Sequence, residues 1–128
     1  WLGGYISNRQ PEKMFREAID AVRAGHLLLI FPEGTRTTQQ PVNPMRNSAA
    51  LIARQAQAPL QTLLITANTP YLAKGWKIWR PPSDFPMCWR VVPGERFEPQ
   101  QSIQETTTTL QHYFEQKLVR SIDPELQI

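Results

Sequence analysis

The sequence predicts an α/β fold, a mainly parallel sheet flanked by helices, and three observations carry that expectation. Two apolar runs, at 27–31 and 60–65, read as strands buried on both faces, the pattern of a parallel sheet. Two segments beside them repeat their apolar residues at helical spacing. The resulting order of strand, helix, strand, helix, strand implies right-handed crossovers.

Taken in order, Gly4 Tyr5 Ile6 is a short apolar stretch followed by Asn8 and Arg9, which suits a strand end opening into a loop. From 11 to 24, Phe15, Ala18, Ile19 and Val22 fall at i, i+3, i+4 and i+7. They predict an amphipathic helix, with Glu12 in its first turn and Gly25 as its stop. Leu27 Leu28 Leu29 Ile30 Phe31 is then expected as a buried strand. After a polar loop, Asn43 suits an N-cap and Pro44 a first helical residue. Met45, Ala49, Ile52 and Ala56 carry that helix to Gln57 before Pro59 ends it.

The stretch 60–65 is the next buried strand. Prolines at 70, 81, 82, 86, 93 and 99 then break up any helix, leaving 77–80 and 89–92 as short strands joined through Pro81 and Pro82. Ser102 and Glu105 form a capping box before a last helix whose stripe is Ile103, Thr107, Leu110, Phe114 and Leu118. The Thr106 to Thr109 run is carried in that helix by its apolar neighbours rather than by threonine's weak propensity.

The 128 residues, 41% hydrophobic and 20% charged, suit a single domain with a core of its own. The net charge is +3, but residues 1–100 carry twelve Lys and Arg against seven Asp and Glu, while 101–128 carry two against four. A basic body of this kind attracts phosphate-bearing partners: anionic lipids, phosphorylated metabolites or nucleic acid. The single cysteine, Cys88, excludes an intrachain disulfide framework and a multi-cysteine zinc site, and reads as a small buried hydrophobe. No apolar run approaches the ~18 residues of a membrane span, and no signal peptide is expected within these residues. Because the sequence opens on Trp1 rather than Met, a native segment is expected ahead of it.

The most informative run is Phe31 Pro32 Glu33 Gly34 Thr35 Arg36, which leaves the carboxyl end of a predicted strand. In open α/β sheets the loops at that edge converge on the ligand crevice. Pro32 sets the chain direction, and Gly34 permits a positive φ or a close approach to a ligand. Arg36 offers a planar fork of donors that matches a phosphate, and the Thr35 hydroxyl donates as well. An ionised Glu33 only accepts hydrogen bonds, so it suits a substrate hydroxyl or an arginine to be held in place. On chemistry alone, a plain turn with solvated Glu33 and Arg36 fits equally well.

This run resembles the signature block of the glycerolipid acyltransferases, which include the 1-acylglycerol-3-phosphate acyltransferases. Gly4 Tyr5 Ile6 Ser7 Asn8 Arg9 is similar to a second block of that family, and Pro44 Met45 Arg46 Asn47 Ser48 Ala49 Ala50 to its Pro Phe Lys x Gly Ala segment. Ala58 Pro59 Leu60 Gln61 Thr62 Leu63 is similar to its Val Pro Ile x Pro Val block. Met45 stands for an aromatic, Ser48 for a glycine and Thr62 for a proline, changes that bear on the subfamily rather than on membership.

The resemblance implies the C-terminal portion of the acyltransferase fold over 1–128, without the upstream His-x4-Asp segment that does the catalysis. Neither histidine supplies that motif, since His26 is followed five positions on by Phe31 and His112 by Lys117. His26 reads instead as a helix-end residue, and His112 as a surface position on the last helix. No catalytic residue is therefore expected in this chain. It would supply the acceptor-phosphate site through Arg9, Glu33, Gly34, Thr35 and Arg36. The acceptor would be a lysophospholipid or glycerol phosphate. The donor would be a thioester on acyl-CoA or acyl carrier protein, with no bound cofactor and no metal.

Such an enzyme would work at a membrane surface, on the cytoplasmic face. Lys74 Gly75 Trp76 Lys77 Ile78 Trp79 Arg80 interleaves basic and aromatic residues in keeping with that setting. The alternative function is a non-catalytic phosphate- or lipid-surface-binding relative. Nucleic-acid binding has no recognised module in this order of elements.

Overall fold

The structure, a computed structural model, describes residues 4, 6–7, 9–38, 41–69, 77, 79–82 and 85–122. Five regular elements appear among them: α1 (Pro11–Arg23), α2 (Ser48–Ala56), β1 (Leu60–Ala67), β2 (Trp89–Phe97) and α3 (Ile103–Ile122). Part of the expected strand end at 4–6 and most of the basic-aromatic segment 74–80 lie outside the described residues.

Helix α1 forms where its spacing placed it. Ala18 is buried, while Phe15, Ile19 and Val22 are half-buried on the same face. Gly25, at φ 88°, ends it in the left-handed region, where the missing Cβ removes the steric penalty. His26 N–H donates to Ala21 O at 3.0 Å across that turn, so His26 is a helix-end residue as expected. Helix α2 begins later than its sequence suggested. Asn43 is not its cap, because the side chain is drawn into the preceding loop, and regular hydrogen bonding starts at Ser48. Four residues of α2 are buried, Ala49, Ala50, Ile52 and Ala53, and they form the centre of the core.

The sheet departs most from expectation. Among the described residues it is two-stranded and antiparallel rather than mainly parallel, with Leu60 opposite Phe97, Ile65 opposite Val91 and Ala67 opposite Trp89. Residues 27–31 form no strand. The backbone groups of 27–30 make no hydrogen bond with the described residues, and Leu27, Leu29 and Phe31 are exposed. An apolar run encodes a demand for burial, but a strand also needs a neighbour to pair with, and neither β1 nor β2 pairs with this run. β1 is only partly covered for the same reason, with Leu63 and Ile65 exposed. Of the expected strand at 77–80, the described residues 77, 79 and 80 are not in a strand, and Arg80 N–H donates to Lys77 O at 2.9 Å. β2 pairs with β1 instead of with these residues.

Helix α3 locks the sheet to the helices. Its start carries half of the expected capping box, Glu105 N–H to Ser102 Oγ at 3.2 Å. The hydroxyls of Thr106, Thr107 and Thr108 each donate to the carbonyl four residues back at 2.9 Å, which satisfies them inside the helix. Tyr113 packs edge-on against Phe97, with ring centroids 5.5 Å apart, and its hydroxyl accepts Glu95 N–H at 2.9 Å. Gly94 makes that reach possible: a Cβ there would overlap the Tyr113 hydroxyl and Thr62 Oγ1. No helix among the described residues is long and apolar enough to cross a membrane. Cys88, expected buried, is exposed beside the start of β2.

Candidate functional site

The run at 31–36 opens a loop that doubles back on itself before α2. Gly34 N–H donates to Phe31 O at 3.0 Å, closing a tight turn, and Gly34 takes φ 68°, a value other residues reach only with strain. The far end of the loop is stitched to the same turn by Arg46 N–H to Pro32 O at 2.8 Å. Met45 N–H donates to Gln111 Oε1 at 2.8 Å, which fixes the loop's exit to α3.

Glu33 is the internal clamp of this loop. Its carboxylate accepts the Thr37 hydroxyl at 2.9 and 3.0 Å and Asn43 N–H at 2.8 Å. Among the described residues it therefore holds backbone and a threonine, not an arginine, which corrects one of the two roles expected for it. Asn43, 6% exposed, continues the network. Its Oδ1 accepts Thr38 N–H at 3.1 Å and the Thr38 hydroxyl at 3.0 Å, and its Nδ2 donates to Arg36 O at 3.1 Å. The backbone of Arg36 is thereby anchored while its side chain stays exposed. Gly34 and Thr35 are exposed on the same turn.

Glu33, Gly34, Thr35 and Arg36 all border one cleft of about 2080 Å³, whose opposite wall is β1. Its lining is largely apolar, with Leu29, Phe31, Leu63, Ile65, Leu110 and Phe114 among the residues that supply it. The structure thus brings four of the five expected site residues to the polar rim of an apolar cleft. Arg9 is not among them: it sits exposed in the turn before α1, its N–H directed at Ser7 Oγ at 3.4 Å, and does not line the cleft.

Sequence reasoning passed over three residues of the loop. Thr37 and Asn43 hold it in shape, and Arg46 lies against Gly34, where a Cβ would come within 2.8 Å of Nε. Asn43 carried a signal, a polar residue before a proline, but that signal fits a cap as well as a loop anchor. His26 is exposed at the end of α1. His112 is exposed on α3, with Nδ1 3.6 Å from Glu115 Oε2. No group of metal-ligating side chains occurs among the described residues.

No curated protein and no solved structure matches the chain. A protein-family model, described as Acyltransferase, matches residues 2–66, which spans α1, the whole 31–46 loop, α2 and most of β1. The chain belongs to the acyltransferase family.

Proposed function

We propose that the 33–46 loop is the acceptor site of an acyltransferase that moves a fatty acyl group from acyl-CoA or acyl carrier protein to a hydroxyl of a lysophospholipid or glycerol phosphate. The observation that carries this reading is the Glu33–Thr37–Asn43 network. It spends a carboxylate on rigidifying a loop whose outward groups are a glycine, a threonine hydroxyl and an arginine, above an apolar cleft. A preorganised donor set beside apolar surface suits a ligand with a phosphate at one end and an acyl chain at the other.

In that reaction the acceptor oxygen attacks the thioester carbonyl carbon, the carbon–sulfur bond breaks, and the hydroxyl proton passes through a base to the leaving thiolate. A histidine oriented by an aspartate suits the base, and we assign that pair to polypeptide other than these 128 residues. The chain's own contribution is to hold the phosphate and aim the hydroxyl, an effect of position rather than of bond making. Arg36 is the principal phosphate ligand, with Arg9 an outlying one. Gly34 and Thr35 shape the turn. Acting alone, the chain is then inactive.

The test is Arg36→Ala in the active enzyme. The KM for the phosphorylated acceptor should rise at least about tenfold, the loss of one charge-assisted contact, while the donor KM stays near its original value. Equal changes in both would overturn the phosphate role.

The same reading sets the protein at a membrane surface, on the cytoplasmic side. Its support is a set of exposed aromatic and basic residues, Trp79 at 80% exposure with Lys77 Nζ 5.8 Å from its ring, and Phe85 at 92%. Binding to anionic phosphatidylglycerol vesicles should weaken in a Trp79→Ala, Phe85→Ala double variant. Undiminished binding would remove these residues from the interface. Vesicle binding with no acyl transfer even in the presence of the polypeptide that carries the histidine–aspartate pair would favour the alternative, a non-catalytic phosphate- or lipid-surface-binding relative.

A further inference from the structure

The cleft is polar where β1 ends, and the acceptor-site reading leaves that part unused. Arg90 stands opposite Thr66 in the register of β1 and β2, and Thr66, Asn68, Thr69, Cys88 and Arg90 all border the cleft. The two strands stay tied beyond their last pair: Asn68 N–H donates to Cys88 O at 3.2 Å, and Cys88 N–H to Asn68 Oδ1 at 2.8 Å. The exposed guanidinium of Arg90 makes no hydrogen bond or ion pair with the described residues. Nor is it neutralised from within the cleft. Among the described residues that border it, Glu33 alone is acidic, and its oxygens accept from Thr37 and Asn43.

Thr69 is an independent sign in the same place. It is 2% exposed, and its hydroxyl is the one buried side-chain polar atom without a hydrogen-bond partner among the described residues. A buried hydroxyl left unpaired is destabilising, and such a group is retained where something that binds completes the bond. The hydroxyl is covered in this conformation, and rotation about χ1 is what would present it to a molecule in the cleft.

We propose that Arg90 and Thr69 bind the carrier arm of the acyl donor. Arg90 holds a phosphate of the phosphopantetheine group that acyl-CoA and acyl carrier protein share, and Thr69 pairs with an amide of the same arm. The inference rests on the acyl-transfer reading above and gives the second reactant its own place. Both reactants carry phosphate and meet in one cleft, which calls for cations on different walls: Arg36 borders it from the loop and Arg90 from the sheet. The guanidinium fork matches phosphate oxygens, and a hydroxyl that both donates and accepts matches a neutral amide.

Calorimetry on the full chain with CoA, 4′-phosphopantetheine, holo-acyl carrier protein and glycerol 3-phosphate tests this, with the thermal midpoint of each variant followed by circular dichroism. Arg90→Gln should weaken the three donor probes roughly tenfold, the loss of one charge-assisted contact, and leave glycerol 3-phosphate unchanged. Thr69→Val should weaken the donor probes about 3- to 10-fold without lowering the midpoint, because the hydroxyl it removes has no partner to lose. Thr69→Ser should bind like the parent. With these dependences in place, the tighter of CoA and holo-acyl carrier protein names the carrier.

An Arg90→Gln variant that spares the donor probes, or weakens glycerol 3-phosphate equally, would overturn the donor role of Arg90. A loss with CoA and not with 4′-phosphopantetheine would overturn the assignment to the shared arm. A lowered midpoint in Thr69→Val with donor binding intact would make Thr69 a structural residue whose hydroxyl is satisfied by buried water. A parent that binds glycerol 3-phosphate and no donor probe overturns the inference and leaves the acceptor-site reading standing, whereas a parent that binds none of the four overturns both.

Discussion

Asn43 shows how much one buried polar residue controls in this loop. Its amide is 6% exposed and satisfied on both sides, accepting from Thr38 and donating to the carbonyl of Arg36. Its backbone N–H completes the set of bonds on Glu33. Removing the side chain takes these partners from the Arg36 carbonyl and Thr38 N–H, and because both residues are exposed and water can replace part of the loss, each bond is worth about 0.5–1.5 kcal/mol. Asn43→Ala is therefore expected to lower the thermal midpoint by several degrees and, in the active enzyme, to raise the acceptor KM without touching the donor KM. Asn43→Asp keeps the acceptor oxygen but loses the donor to Arg36, and should fall between the parent and the alanine variant. A normal midpoint and acceptor KM in Asn43→Ala would mean that the loop is shaped by its turn alone. The glutamate at 33 was legible from sequence as an acceptor-only group, but its partner was not. Residues 33 and 43 are joined by loop closure, which leaves no trace in periodicity.

Elements were legible to the extent that each one's burial is decided within its own length. In α1 the apolar spacing, the glycine stop and the helix-end His26 all describe the observed helix, because an amphipathic helix satisfies its backbone internally. Ser102 and Glu105 located the start of α3 for the same reason. Strands were legible only as candidates. The runs at 27–31 and 60–67 have similar apolar content, yet one pairs and the other does not, since pairing depends on what lies alongside. Pairing direction was misjudged through the same gap. The order of elements favoured parallel strands, whereas β1 found β2, whose extension past Pro93 to Phe97 went unforeseen. Pro93 is tolerated there beside the irregularity between Gln61 and Leu63, where proline's missing N–H does least harm. Gly94 follows it and lets Tyr113 bond the strand from α3, a junction that no local pattern announces.

At the scale of the molecule, the apolar content that predicted a parallel sheet is present but not closed over. Leu29 and Phe31 on one wall of the cleft, and Leu63 and Ile65 on the other, remain exposed around a volume of about 2080 Å³. The backbone of 27–30 and the edge of β1 away from β2, which find no partner among the described residues, add donors and acceptors to that surface. Apolar surface combined with open strand edges is the setting in which chains associate. The 128-residue chain by itself is thus expected to bind a hydrophobic dye and to shift toward larger species in light scattering as its concentration rises. Lysines at Leu29 and Ile65 place like charges on facing walls, each on a side chain already exposed, so they should suppress association while leaving the thermal midpoint nearly unchanged. A chain that stays monomeric and dye-free at every concentration would show that the cleft is closed in solution. The α1, α2 and α3 core, built from Ala18, Ala49, Ala50, Ile52, Ala53 and Leu110, would then not be the only apolar surface buried. The site loop would have to reach its ligand by a route other than that cleft.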